Sequence, residues 1–298
     1  MSFTVVVCTR DRPDSLAITL DALDAQREAG FPVLVVDQSP EVDEALAERA
    51  DADQRLTVLR DAGRGLSRAR NLAWRATDTE WLVFLDDDCV PERDWAQALA
   101  EAMAQHPGAD FVSGHVGPDR MRPETELPQY AVFPVEEERT VSGRWVWPHE
   151  IGFGVCMGVR RSAVARLGGW DERLGPGVPE FPASDDMDFN FRFLRAGGVA
   201  HLTPRARAHH AQWRSPEDLV SLYRGYMASW AGFAVKHART GQPLAGAWLW
   251  SYGLRDTARM AASALRHRSR LRGRIAAGKL RGLVAGTRAA LRRRWGPL

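Results

Sequence analysis

The stretch WLVFLDDDCVPERDW, residues 81–95, runs five apolar residues straight into three consecutive carboxylates, Asp86, Asp87 and Asp88. Acids placed side by side repel, so each is costlier to ionise than it would be alone. A hard divalent cation removes that cost; Mg²⁺ or Mn²⁺ takes oxygen ligands and often bridges to substrate phosphates. The ligand-free alternative is a solvated acidic loop that caps a helix beginning near Glu92. A second chemical signal is Gly63-Arg64-Gly65-Leu66-Ser67-Arg68-Ala69-Arg70-Asn71, a flexible Gly-x-Gly turn before a helix with three arginines close by. A helix N-terminus beside arginines favours an anion such as a diphosphate. It is not the dinucleotide fingerprint, because Arg68 stands where a third glycine belongs and the segment does not follow the first strand.

The elements around these residues alternate at short intervals. FTVVVC (3–8), VLVVD (33–37), LTVL (56–59) and WLVFLD (81–86) are short Val, Leu and Phe-rich runs, as expected of strands buried on both faces. Pro13 opens a helix in which Leu16, Leu20 and Leu23 share a face, and another helix follows Gly65. The alternation predicts an α/β fold with a mainly parallel central sheet flanked by helices. Ligands of such sheets sit outside the C-terminal strand ends. Thr9, Asp37 and Asp86 to Asp88 all fall there. A helix is expected over about 92–106 and a strand near 111–116. Residues 117–150 then form a long irregular excursion of the kind that carries binding function. Order returns with FGVCMGV (153–159), a helix from about Ser162 and another near 184–196. From Ser215 onward the pattern is helical.

Composition narrows the class. Cys8, Cys89 and Cys156 are odd in number and widely spaced, which fits neither a disulfide framework nor a zinc site and points to a reducing compartment. No apolar run reaches the ~18 residues of a membrane span, and the N-terminus lacks a secretory pattern. Charge is unevenly spread: residues 254–298 hold thirteen Lys or Arg and one acid, Asp256, so an acidic body carries a basic tail.

The series CTRDRP (8–13), VVDQS (35–39), GLSRARN (65–71), FLDDDCVP (84–91), GGWDE (168–172) and SDDMDFNFR (184–192) resembles, in order and spacing, the inverting family 2 glycosyltransferases, which have the GT-A fold. The resemblance covers roughly residues 3–212. It implies that Thr9 and Asp37, with Arg12 nearby, contact the base of a nucleotide-diphosphate sugar donor, and that Arg70 reaches the nucleotide or its diphosphate. Asp86 and Asp88 take the outer positions of the family's D-x-D motif, Asp86 facing ribose or metal and Asp88 ligating Mn²⁺ or Mg²⁺; Asp87 is the variable middle position. Asp185-Asp186 stands where the family commonly has Glu-Asp, which makes Asp186 the implied general base and leaves Asp185 a less defined role. His210, with His209 in reserve, is the implied further metal ligand. Trp170 and Asp171 are the implied acceptor-binding pair, and Trp145, Trp147 and Trp213 are further candidates for stacking on sugar rings. Asp188 and Arg192, at i and i+4, suit a structural ion pair.

The expected organisation is a catalytic domain over 1–214 and a helical, basic extension over 215–298. Arginines crowd one side of amphipathic helices in 254–295, which suits an anionic membrane surface and a glycan or lipid-linked acceptor. Packing on the acidic body and homodimerisation are the alternatives, and no nucleic acid is expected. The expected location is the cytoplasm, peripheral on the inner membrane face. Two rival functions are a sugar-phosphate nucleotidyltransferase and an inactive nucleotide-sugar binder. The first calls for a Gly-rich loop after strand one, which CTRDRPDS lacks; the second is disfavoured by the presence of Asp86, Asp88 and Asp186.

Overall fold

The computed structural model describes residues 2–27, 30–118, 130–211 and 214–296. In chain order the elements are β1 (Phe3–Thr9), α1 (Pro13–Asp24), β2 (Val33–Asp37), α2 (Glu44–Ala52), β3 (Leu56–Arg60), α3 (Leu66–Ala76), β4 (Trp81–Asp86), β5 (Cys89–Pro91), α4 (Trp95–Gln105), β6 (Phe111–Pro118) and β7 (Arg139–Ser142). A 3-10 turn (Pro148–Ile151), β8 (Cys156–Arg160), α5 (Arg161–Leu167), α6 (Asp185–Arg195), β9 (Val199–His210), α7 (Pro216–Arg239), α8 (Pro243–Arg266) and α9 (Arg270–Arg292) follow. The chain divides into two compact units, Met1–Trp170 with Phe189–Gln212, and Asp171–Asp188 with Trp213–Leu298.

The first unit is built on one mixed sheet with the order β3-β2-β1-β4-β8-β6-β9-β5, β7 pairing with β9. Strands β1 to β4 run parallel, and β8 returns antiparallel to β4. Alternate residues of β1 feed two cores: Val5 and Val7 join the cluster around α1 and α4, and Val6 the cluster around α3 and α5. Burial on both faces explains why these strands read as unbroken apolar runs. The four expected strands are present with one-residue extensions at Thr9 and Arg60, and the helix expected from residue 92 begins at Trp95.

Strand β9 has no counterpart in the sequence reading. Its second half alternates, with Ala206, Ala208 and His210 buried and Arg205, Arg207 and His209 between them. Pro204 and the basic residues hide that alternation. Pairing with β6 skips from Ser113–Leu202 to His115–Arg207, a bulge that lets Pro204 sit where no ladder donor is needed.

The second unit consists of α7, α8, α9 and the Asp171–Asp188 segment. Ser215 caps α7 in a reciprocal box with Asp218, and Ser269 caps α9 through the Arg272 amide. Helix α9 lies directly on the α7 backbone. A Cβ at Gly282 would fall 2.1 Å from the Arg224 carbonyl oxygen, and one at Gly286 2.1 Å from that of Ala228. Contact that close requires glycine despite its cost within a helix. The expected boundary at 214 therefore marks the start of the helices but not of their unit. Residues 171–188 group with them because Phe181 packs on Gly232 and the Ala183 amide donates to Ser229 Oγ at 3.0 Å. Gly286→Ala gains helix propensity yet forces the helices apart, so it should destabilise the chain by about 1–3 kcal/mol, read as a lower urea midpoint than wild type.

Candidate functional site

The parallel register lines up the expected donor-site residues. Thr9 stands opposite Asp37, and Cys8 opposite Asp86, so the strand ends deliver Thr9, Asp37 and the three carboxylates to one edge. Thr9 Oγ1 donates to Asp87 at 2.7 Å, while Arg12 Nη1 donates to Asp87 at 2.9 Å and to Asp88 at 3.1 Å. Asp87, expected as a variable middle position, is thus the hub of this network. Asp37 accepts the Ser39 amide at 2.8 Å and pairs with Arg60, a partner that the sequence reading did not single out. Thr9, Arg12, Asp37 and Ser39 line an open cleft of about 530 Å³ between β1 and α2.

Arg70 is 3% exposed on α3. Its Nη2 donates to the Gly154 carbonyl at 3.2 Å and lies 3.8 Å from Asp86 Oδ1. A Cβ at Gly154 would fall 2.2 Å from that nitrogen, so the glycine makes room for the guanidinium. Arg68, expected near the anion, instead forms two 2.9 Å hydrogen bonds to Asp61. Those bonds hold the Asp61 carboxyl down at about 2.

Strand β9 turns the two histidines in opposite directions. Cys89 pairs with His210 and Val90 with His209 across β5, and the side chains alternate. His210 Nε2 comes within 3.3 Å of Asp88 Oδ1, and its ring meets Tyr130 edge-on at 5.4 Å. His209 points the other way, to Glu92 Oε1 at 2.9 Å. One donor atom from each of Asp88, Cys89 and His210 lies within 4.8 Å of the others. A carboxylate and an imidazole suit Mn²⁺ well; burial raises the Cys89 thiol well above its ordinary range, which keeps it protonated and a poor ligand.

Burial first, then repulsion from Asp88, lifts the Asp86 carboxyl to about 6 against the pull of Arg70. Asp87 is also raised, chiefly by burial, and Arg12 is raised by Asp87 and Asp88 against its own desolvation.

The second acidic run lies in the other unit. Ser184, at φ +67°, precedes the first turn of α6. Asp185 is buried beside Gly175, whereas Asp186 is half-buried and accepts the Met187 amide at 2.7 Å. Asp188 and Arg192, expected as an ion pair along the helix, both have partners beyond it. Asp188 is met by Lys236 Nζ at 2.7 Å and His237 Nε2 at 2.8 Å, and Arg192 donates to the carbonyls of Leu167 and Gly169.

Two acceptor-site expectations need correction. Trp170 is 1% exposed, stacked on Phe189 at 4.5 Å and edge-on to Phe84 at 5.0 Å, a core residue closed to any acceptor. Asp171 is saturated by Arg173, with side-chain bonds of 2.7 and 2.8 Å, and by Lys236 at 2.6 Å. Although burial opposes it, these cations hold its carboxyl below the ordinary range. Trp145 is exposed under the Arg195 guanidinium, Trp147 is half-buried near His149, and Trp213 lies outside the described residues.

The mixed central sheet flanked by helices, with its parallel half ending in the acidic triplet, has the GT-A fold of glycosyltransferases. The chain belongs to glycosyl transferase family 2, whose model matches residues 4–168. Among its relatives, a glucosyl-dolichyl phosphate glucuronosyltransferase from Haloferax volcanii is 27% identical over 237 residues, covering 76% of each chain. A glycosyltransferase of Haemophilus influenzae is 22% identical over 194 residues, 64% of this chain; the match spans 62% of that relative's length. A mannosyltransferase from Pyrobaculum calidifontis, solved with GDP-mannose and Mn²⁺, shares the fold at TM-score 0.63 and 18% identity, over 97% of this chain and 87% of its own.

The raised Asp86 carboxyl sets a sign for pH dependence. Between the ordinary carboxylate range and about 6, the folded chain holds a proton that the unfolded chain has released, so stability falls as pH rises through that window. Asp86→Asn should therefore stabilise the metal-free protein at pH 7 by about 1–2 kcal/mol in urea unfolding with EDTA, and the gain should vanish near pH 4.

Proposed function

We propose that the protein transfers a sugar from a nucleoside-diphosphate sugar to an acceptor hydroxyl, with metal dependence and inversion at the anomeric carbon. The observation that carries this reading is the meeting of Asp88 and His210, beside Asp86 and Arg70, at the sheet edge where Thr9 and Asp37 open a cleft. A cleft bounded by Thr9, Arg12 and Asp37 suits a base and ribose, and Arg70 is placed for the negative charge of a diphosphate. Asp86, Asp88 and His210 would hold Mn²⁺ or Mg²⁺, which when bound supplies charge stabilisation to the departing diphosphate. Asp186 takes the proton of the acceptor hydroxyl as its oxygen attacks from the face opposite the leaving group. One carbon–oxygen bond forms as the bond to the diphosphate breaks, and Asp185 is the inner neighbour that backs the base. The mannosyltransferase solved with GDP-mannose and Mn²⁺ supports the donor and metal by analogy.

The acceptor is read as a glycan or lipid-linked saccharide. The Haloferax relative is named for glucosyl-dolichyl phosphate, and the outward face of α9 suits a lipid surface. Arg270, Arg274, Arg281 and Arg288 are exposed there with Leu280, Val284 and Leu291. Among the described residues no helix is long and apolar enough to cross a membrane. Contact would thus be peripheral.

Calorimetric titration with UDP and GDP, with Mn²⁺ and then EDTA, tests the donor site. Asp88→Asn should weaken the Mn²⁺-dependent affinity at least tenfold, and unchanged affinity removes Asp88 from the site. Asp186→Asn should leave nucleotide affinity within twofold while abolishing transfer; an active variant refutes the base. Arg281→Gln with Arg288→Gln should lower affinity for phosphatidylglycerol vesicles by ~2 kcal/mol, read by co-sedimentation, with no change for phosphatidylcholine vesicles.

A further inference from the structure

The Asp171–Asp188 segment is closed at its neck by a single side chain. Lys236 Nζ, on α7, lies 2.6 Å from Asp171 Oδ2 and 2.7 Å from Asp188 Oδ1, the first and last residues of that segment. His237 adds a second contact to the same Asp188 oxygen at 2.8 Å, and Arg173 brackets Asp171. Asp188 is 0% and Lys236 3% exposed. A buried ion cluster is a weaker stabiliser than apolar packing of the same volume, so stability alone is a poor reason for it; fixing one geometry is a better one.

We infer that Lys236, seconded by His237, is a positioning residue that staples the base-bearing segment shut and sets the direction of Asp186. This deepens the reading of Asp186 as general base and rests on it. Asp186 lies two residues before Asp188 on the same helical turn, about 200° around the axis. Drawing Asp188 inward onto α7 therefore turns Asp186 outward, as its half-buried state reflects. The Asp188 amide also closes onto the Ser184 carbonyl at 3.0 Å, so the anchored side chain holds the residue at φ +67° that starts the helix. The C-terminal helices thereby contribute to the chemistry through one lysine, independently of any surface they bind.

The test uses the full chain, a panel of UDP- and GDP-sugars from which the substrate turned over by wild type is taken, and hydrogen exchange. Lys236→Met is expected to lower kcat at least tenfold with donor KM within twofold and vesicle binding unchanged, and to speed amide exchange across 172–187 at least tenfold while β1 to β4 stay protected. Lys236→Arg, which keeps a cation within reach of both carboxylates, is expected to recover a large part of kcat. If Lys236→Met does not accumulate as folded protein, Asp188→Asn, which keeps the shape and halves the anionic charge on the lysine, is read by the same criteria. Wild-type kcat in a folded variant, or a loss matching only the unfolded fraction, overturns the staple. An active Asp186→Asn overturns the base instead, so the two failures are distinguishable.

Discussion

Three adjoining carboxylates at the end of a buried strand are the constraint on which the first unit depends. Left alone they would take up protons or splay apart. The chain answers with Thr9 at the end of β1, Arg12 just beyond it, Arg70 from α3 and His210 from β9, all brought to one edge of the sheet. The parallel half of the sheet supplies the acids and the hydroxyl. The antiparallel half exists, in this respect, to bring a histidine back alongside Asp88. The compensation is incomplete, since the Asp86 carboxyl still sits near 6, and an incompletely neutralised acid is a good place to offer a cation.

Much of this was legible in the sequence because strands buried on both faces leave unbroken apolar runs, and their C-terminal residues are then polar by contrast. Thr9, Asp37 and the Asp86 to Asp88 run stood out for that reason. Strand β9 did not, because an alternation of alanine with arginine carries little hydrophobic contrast and Pro204 argues against a strand; with β9 unseen, His209 and His210 could not be told apart. The placement of Trp170 and Asp171 failed differently. The family resemblance of GGWDE implied a binding surface, but stacking on Phe189 and pairing with Lys236 are long-range contacts that no local pattern encodes. Asp188 shows the same limit, since its partners Lys236 and His237 lie about fifty residues away on α7.

In the second unit, charge is sorted by depth. Lys236 and Lys279 are buried and each is neutralised, Lys236 by Asp171 and Asp188 and Lys279 by Asp256 at 2.6 Å. Asp256 is the one acid in residues 254–298, and it is spent on that internal pair. The outward face of α9 is left with arginines and aliphatic side chains.

The glycines of α9 fix more than a distance. Because Gly278, Gly282 and Gly286 together form the row that meets the α7 backbone, the helix can seat in only one rotational setting, and every arginine along it inherits a fixed compass bearing. A polybasic sequence of equal charge but without that glycine spacing would present its cations at random azimuth. The basic surface is thus a phased pattern set by steric fit, not a quantity of charge that any cationic tail could replace.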